Sequence, residues 1–118
     1  MKCTTLGIVF ATLLLVLFLG EPRKPLAVET GQLAFERYCA SCHGMDARGT
    51  DKGPMFIHCV YHPGQHHGDA AYLLAPRRGA RQHHWNFGDM KPVPGVTDDE
   101  LVAITRYVRR LQKAAGLF

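Results

Sequence analysis

Internal repeats, low-complexity tracts and strong net charge are all absent from this chain of 118 residues. The first two absences exclude repeat architectures and a largely disordered chain. Removing residues 1–20 takes away only Lys2, which reduces fourteen basic residues to thirteen against ten acidic ones, a net charge of +3. That excess is too small to indicate a partner, and we expect no nucleic-acid binding. The length allows one small domain with an extension, and such domains usually need a disulfide, metal or cofactor.

Only one long apolar run is present, and it lies at the N-terminus, from Leu6 to Leu19. An uncharged run of this kind after Lys2 predicts an export signal over residues 1–20. A cut after Gly20 would put Phe18 at the −3 position, where cleavage needs a small residue. We therefore favour an uncleaved membrane anchor over a cleaved signal, although the run is short for a spanning helix.

The rest of the chain is exported under either alternative. Pro22 and Pro25 predict an extended linker over residues 21–28, and we expect residues 29–118 to form the folded domain.

Cysteine is scarce, and two of the four cysteines stand three residues apart, directly before a histidine. Cys39, Cys42 and His43 form the Cys-x-x-Cys-His attachment signature of a c-type haem. If the segment is helical, Cys39 and Cys42 lie one turn apart on one face, from which their sulfurs can form thioethers with the two vinyl groups of a porphyrin. His43 follows on the same face and can ligate the iron. We therefore predict one covalently attached haem c as the constraint that this small domain requires.

Two loops contain candidates for holding the iron. Residues 44–54 form a loop by composition, which would wrap the histidine side of the ring. A metal-bound histidine donates its other N–H to a carbonyl or carboxylate, and the Pro54 carbonyl is the candidate acceptor for His43. The alternative is an ordinary Gly-Pro turn. Met90 lies in the Pro- and Gly-rich loop 88–96, and a soft thioether on a stiff loop suits a second axial ligand. The alternative is that Met90 only packs.

The stretch from Met55 to Trp85 contains six of the seven histidines, which are His58, His62, His66, His67, His83 and His84. Such a tract predicts either a second metal site or a loop whose histidines cap backbone groups. For Cys59 we expect a small buried apolar residue rather than a free reactive thiol. Trp85, the only tryptophan, either packs at the haem edge and donates its N–H to a propionate or fills the core.

Helices are predicted at both ends of the folded domain. The first begins at Thr30 and runs to the Cys39 region, and its expected buried residues are Leu33, Phe35 and Tyr38. The last begins with the capping box Thr97–Glu100, and its apolar stripe is Leu101, Ile104, Tyr107, Val108 and Leu111. Gly31 either lets another helix cross closely or merely lies near a cap. We expect the two helices to cross with Tyr107 near Gly31 and Phe35.

A short middle helix is predicted over residues 70–75, with Asp69 as its N-cap. Pro76 should kink or end this helix, and Gly79 is a stop signal. The basic residues beyond it either hold propionates, face an acidic partner or form an ordinary solvated helix end; they are Arg77, Arg78 and Arg81.

In this order the motifs resemble those of class I c-type cytochromes, and the segment from His83 to Met90 is similar to that of small bacterial monohaem cytochromes. The resemblance runs from Thr30 to Lys113, and its motifs are Gly31 and Phe35, Cys39–Gly44, Gly53-Pro54, a methionine in a Pro-rich loop and a final amphipathic helix. It implies an all-α cytochrome c fold, with three to five short helices wrapped around one covalent haem and with crossing N- and C-terminal helices. It also implies His43 and Met90 as axial ligands and the Pro54 carbonyl as the group that orients His43.

Ligation by both His43 and Met90 leaves no open iron site, so we expect a one-electron carrier rather than an enzyme. It would serve an electron-transfer chain on the periplasmic side of a bacterial inner membrane, either anchored or soluble. Its electron donor and acceptor would be redox proteins. Lys52, Lys91 and the Arg77–Arg81 group would attract acidic docking surfaces. Two alternatives remain. One is a haem-based sensor or small-ligand binder with a displaceable Met90. The other is a His-rich metal-binding protein in which the covalent haem only stabilises the fold.

Overall fold

The computed structural model describes residues 27–118, so the predicted export signal and residues 21–26 of the predicted linker lie outside the described part. Helix α1 spans Ala27–Tyr38, α2 spans Ala40–His43, a short 3-10 helix spans Cys59–Tyr61, α3 spans Asp69–Arg78 and α4 spans Asp98–Ala114. Residues 27–118 contain no strand, only an isolated antiparallel bridge between Ala80 and Met90. The predicted all-α class is confirmed. None of the helices in this part of the chain combines the length and the apolar character that crossing a membrane requires.

The core forms where α1 crosses α4. A Cβ atom on Gly31 would collide with the Ala103 carbonyl oxygen and would lie 3.1 Å from the Tyr107 Cβ, so the close approach depends on glycine. Phe35 is fully buried, and its ring centroid lies 5.4 Å from that of Tyr107. The predicted crossing of the first and last helices is confirmed, and Gly31 is its contact point rather than a residue near a cap.

The start of α1 and its buried face differ from the prediction. The helix already includes Ala27, so it takes in the last two residues of the predicted linker, and Thr30 is not its N-cap. Glu29 lies in the first turn, where the helix dipole favours an acidic side chain. Leu33 was predicted to be buried, but its exposed fraction is 62%, whereas Ala34 is buried. The crossing at Gly31 fixes which face meets α4, and residues three and four positions later lie on that face.

Helix α3 extends further than predicted at its C-terminal end. It continues through Pro76 for two residues, although this proline has no N–H to donate to the Tyr72 carbonyl. Gly79, with φ of 78°, ends the helix as predicted. Gly68 is the N-cap, and the prediction of Asp69 at that position was wrong by one residue. Asp69 instead pairs with Arg109 of α4 at 2.7 Å.

Helix α4 matches its prediction closely. The Thr97 hydroxyl accepts a hydrogen bond from the Glu100 backbone N–H at 3.2 Å, and the Thr97 N–H donates to the Glu100 carboxylate at 2.8 Å. This capping box is therefore confirmed. The predicted stripe faces the core, with four of its residues buried, namely Leu101, Ile104, Tyr107 and Val108.

Candidate functional site

The loop after α2 folds back onto the imidazole of His43, which is itself buried. The Thr50 hydroxyl donates to the Cys42 carbonyl at 2.6 Å. Gly53 packs so closely that a Cβ there would lie 2.9 Å from the same carbonyl oxygen. This approach brings the Pro54 carbonyl oxygen to 2.8 Å from His43 Nδ1. The loop thus delivers an acceptor to one specific ring nitrogen.

This contact determines the tautomer of His43. A carbonyl oxygen only accepts hydrogen bonds, so Nδ1 carries the hydrogen and Nε2 keeps its lone pair. Burial lowers the pKa of His43 more than the Pro54 carbonyl raises it, which favours the neutral ring. The ring also stacks on Phe56, with centroids 4.1 Å apart. A neutral imidazole fixed through one nitrogen and free at the other is what a metal-ligating histidine needs.

Cys39 and Cys42 lie one helical turn apart. The Cys39 carbonyl accepts hydrogen bonds from the backbone N–H groups of Cys42 at 3.2 Å and His43 at 3.0 Å, so the segment winds as a helix. Neither cysteine is in a disulfide, and Cys39 is half-buried whereas Cys42 is exposed. Burial raises the pKa of the Cys39 thiol to about 11, and the neighbouring Cys42 adds to the rise. Cys39 is therefore no thiolate at neutral pH, and both sulfurs are free for thioether bonds.

One cavity that opens to solvent brings most of the predicted site residues together. Its walls include Cys39, His43, Pro54, Trp85 and Met90, whereas Cys42 does not line it. A thiol, a neutral imidazole and a thioether therefore surround one space, and these residues fit a covalently attached haem.

The position of Met90 is fixed by its backbone. Its N–H and carbonyl both bond to Ala80, at 2.8 and 3.0 Å, which closes residues 80–90 into a loop with Met90 at its base. A Cβ on Gly79 would lie 2.5 Å from the Met90 carbonyl oxygen, so glycine permits this contact as well as ending α3. Beyond the loop, the Val93 N–H donates to the Pro76 carbonyl at 2.7 Å. Three backbone hydrogen bonds therefore hold the Met90 segment to the end of α3 and the residue that follows its cap.

Aromatic rings that the sequence did not single out pack around Phe56, which itself stacks on His43. Phe56 is buried and meets Tyr61 and Tyr72 edge-on, with centroids 5.1 and 5.2 Å apart. Trp85 is half-buried and stacks on Tyr61 at 5.8 Å, nearly parallel to it. Its contact with a propionate stays a prediction, whereas its packing against this aromatic cluster is observed.

A buried glutamine connects α4 to this cluster, and sequence reasoning missed it. Gln112 is completely buried, and its Nε2 donates to the Phe56 carbonyl at 2.7 Å and to the Tyr72 hydroxyl at 3.1 Å. Its Oε1 accepts from Arg109 at 2.8 Å, and Arg109 also pairs with Asp69. The available signal was a polar residue at i+4 from Val108, on the buried stripe of an amphipathic helix.

The histidines of the long tract divide into two sets. His58 accepts from the Val60 N–H at 3.3 Å and caps the 3-10 helix, and His62 donates to the Pro63 carbonyl at 2.6 Å. The other four gather at one edge of the cavity, and they are His66, His67, His83 and His84. Burial, and then the neighbouring histidines, lower the pKa of His67 to about 4. The predicted capping role therefore describes the first set, and also His83, whose Nδ1 lies 2.7 Å from the Arg81 carbonyl oxygen.

Cys59 lies elsewhere than predicted, and one of the three neighbouring arginines forms an ion pair. Cys59 is exposed, and the prediction of a buried apolar residue was wrong because the 3-10 helix that it begins turns Tyr61 inward instead. Arg77 pairs with Asp98 at the start of α4, with its Nε 3.1 Å from the carboxylate. Arg78 and Arg81 are exposed.

Comparison with known proteins shows what the chain as a whole is similar to. The sequence model of the family described as cytochrome c matches residues 28–112. The chain is also similar to the cbb3-type cytochrome c oxidase subunit CcoP of Rhodobacter capsulatus, with 29% identity over 97 residues, which cover 78% of this chain and 32% of that subunit. The chain thus spans about a third of the length of this relative. No solved structure matches the present chain.

The substitution Gln112→Leu should lower the free energy of unfolding by about 2–3 kcal/mol, because it leaves the buried Phe56 carbonyl without a donor. Guanidinium unfolding of the haem-loaded protein measures the change. The matched control is Gln32→Leu on the exposed face of α1, which should change stability by less than about 0.5 kcal/mol. Equal effects of the two substitutions would contradict a structural role for the Gln112 network.

Proposed function

The chain belongs to the cytochrome c family, and from this premise we propose that it is a monohaem one-electron carrier in a periplasmic or membrane-associated electron-transfer chain. One observation carries the proposal. The buried His43 donates its Nδ1 hydrogen to Pro54, which leaves Nε2 free in the same cavity as Met90. Haem bound there supplies one iron that changes between the ferrous and ferric states.

The residues around the cavity have separate roles in this proposal. Cys39 and Cys42 would hold the ring through thioethers, and His43 Nε2 and the Met90 sulfur would bind the iron. Two protein ligands leave no open coordination position, which favours electron exchange over substrate chemistry. A methionine ligand in a largely apolar cavity favours the reduced state and raises the potential. The three backbone hydrogen bonds that hold the Met90 segment support a permanent ligand over a displaceable one.

Redox proteins are the proposed partners. Similarity to a subunit of an oxidase supports electron exchange with another protein, since that relative is named as part of an electron-consuming complex. Lys52, Lys91, Arg78 and Arg81 are exposed, and we propose that they steer an acidic docking surface. Two haem propionates would reduce the net charge of residues 21–118 from +3 to about +1, so steering would depend on where these basic residues lie rather than on net charge.

Replacing Met90 tests the axial ligand. Met90→Ala should abolish the sulfur-to-iron charge-transfer band of the ferric protein and lower its reduction potential, because the thioether ligand is lost. Absorption spectroscopy and a redox titration measure the two effects. The matched control is Met55→Ala, which removes an exposed methionine and should preserve both the band and the potential. If the band is missing from the unmodified protein, the sensor alternative becomes the better one.

Salt dependence tests the proposed docking. The rate at which isolated membranes of the source organism oxidise the reduced protein should fall several-fold between about 10 and 200 mM salt, because ions screen attraction between exposed charges. Lys91→Gln should lower the rate at low salt and reduce its dependence on salt. Rates that do not change with ionic strength would exclude steering by these residues.

Fractionation followed by intact mass tests haem attachment and export together. The mass should exceed that of the polypeptide by one haem, and it should correspond to the full chain in the membrane fraction if the N-terminal segment is retained. Loss of residues 1–20 would indicate a cleaved signal and a soluble periplasmic protein. A purified protein without the added mass would end the electron-carrier proposal.

A further inference from the structure

Four imidazoles meet at one edge of the cavity, apart from the proposed axial ligands. His66 and His67 precede α3, and His83 and His84 follow it, so the helix brings two distant segments together. One ring nitrogen from each histidine can be chosen so that all four lie within 4.8 Å of one another. The group contains no carboxylate and no thiol. Its chemistry is therefore purely that of nitrogen donors.

The ring nitrogens already face each other in pairs. His66 Nε2 lies 3.0 Å from His84 Nε2, and His67 Nε2 lies 2.9 Å from His83 Nε2. His83 Nδ1 donates to the Arg81 carbonyl at 2.7 Å, so in the neutral ring His83 Nε2 carries the lone pair and points it into the cluster. A backbone carbonyl that holds the outer nitrogen while the inner one faces the other donors is the usual support for a histidine that binds a metal.

We propose that these four histidines form a binding site for one divalent transition-metal ion of the kind that prefers imidazole, Zn²⁺ or Cu²⁺. Metal–nitrogen bonds of about 2.0–2.1 Å put the nitrogens of a tetrahedral site about 3.3 Å apart. The two close pairs, at 2.9 and 3.0 Å, need to open by only a few tenths of an ångström to reach that spacing. Imidazole suits zinc and copper, whereas calcium and magnesium prefer oxygen ligands.

The surroundings of the cluster allow an ion to enter and give binding a structural consequence. Three of the four histidines are exposed, so an ion can reach the site from solvent. His83 and His84 belong to the loop of residues 80–90, whereas His66 and His67 belong to the segment that precedes α3 in the chain. A bound ion therefore cross-links these two segments across the cavity edge and restrains the loop that has Met90 at its base. The proposal does not depend on what the protein exchanges electrons with.

Calorimetric titration of the haem-loaded, chelator-treated and untagged protein with zinc chloride tests the site. We expect one ion per chain, and the double variant His66→Gln/His84→Gln should weaken the affinity by about 100-fold or more, since it removes half of the ligands. The control His62→Gln removes a histidine outside the cluster and should bind zinc as the unmodified protein does. Equal affinity of the double variant and the control, or no binding by the unmodified protein, would overturn the proposal and leave a hydrogen-bonded histidine cluster.

Two further measurements identify the ligands and exclude misfolding. Cu²⁺ added in place of zinc should give an electron paramagnetic resonance spectrum with hyperfine splitting from four nitrogens, reduced in the double variant. A spectrum with only one or two nitrogens would contradict the four-histidine site. Zinc should raise the melting temperature of the unmodified protein and not that of the double variant. The haem absorption of both variants should match that of the unmodified protein, which separates loss of the site from loss of the fold.

Discussion

The free Nε2 of His43 depends on a single hydrogen bond from Nδ1 to the Pro54 carbonyl, and much of the structure maintains it. Residues 44–54 must turn sharply to bring this carbonyl back to the ring. Gly53 permits the approach to the Cys42 carbonyl, and the Phe56 N–H bonds to the Ala47 carbonyl at 2.7 Å. Without that hydrogen bond the other tautomer could form, and the orientation of the imidazole would depend on its stacking against Phe56.

The helix crossing supports the same histidine from behind. Gly31 lets α1 meet α4 closely, and α4 carries Gln112 into the core. Gln112 holds the Phe56 carbonyl, and the Phe56 ring stacks on His43. A polar network is costly in a small core unless every group in it is bonded. No buried side-chain nitrogen or oxygen among residues 27–118 is left without a partner, so the network can stabilise the core rather than weaken it.

Features that depend on residues close together in the sequence were predicted well. The helical turn from Cys39 to Cys42, the capping box at Thr97 and the stop at Gly79 each depend on a few neighbouring residues. The helix crossing followed from apolar spacing and one glycine. The errors concern residues whose position is set by distant parts of the chain. Leu33 faces solvent because the crossing fixes the opposite face of α1, and Phe56 becomes central only when Gln112, far along the chain, binds its carbonyl. Neither contact leaves a periodic pattern in the sequence.

The middle helix, α3, lies between the segment that contains His66 and His67 and the loop that contains His83, His84 and Met90. Its last turn, with Pro76 and Gly79, fixes the backbone of Met90 at the base of the loop of residues 80–90. The loop carries His83 and His84 to the segment that precedes the same helix. Met90 and two of the four clustered histidines, His83 and His84, therefore belong to one closed loop. Met90 ties this loop to the end of α3, and the two histidines contact the segment that precedes the helix. A metal ion bound at the cluster would therefore restrain the loop that ends at Met90, which gives the cluster a structural link to the proposed iron ligand without direct contact.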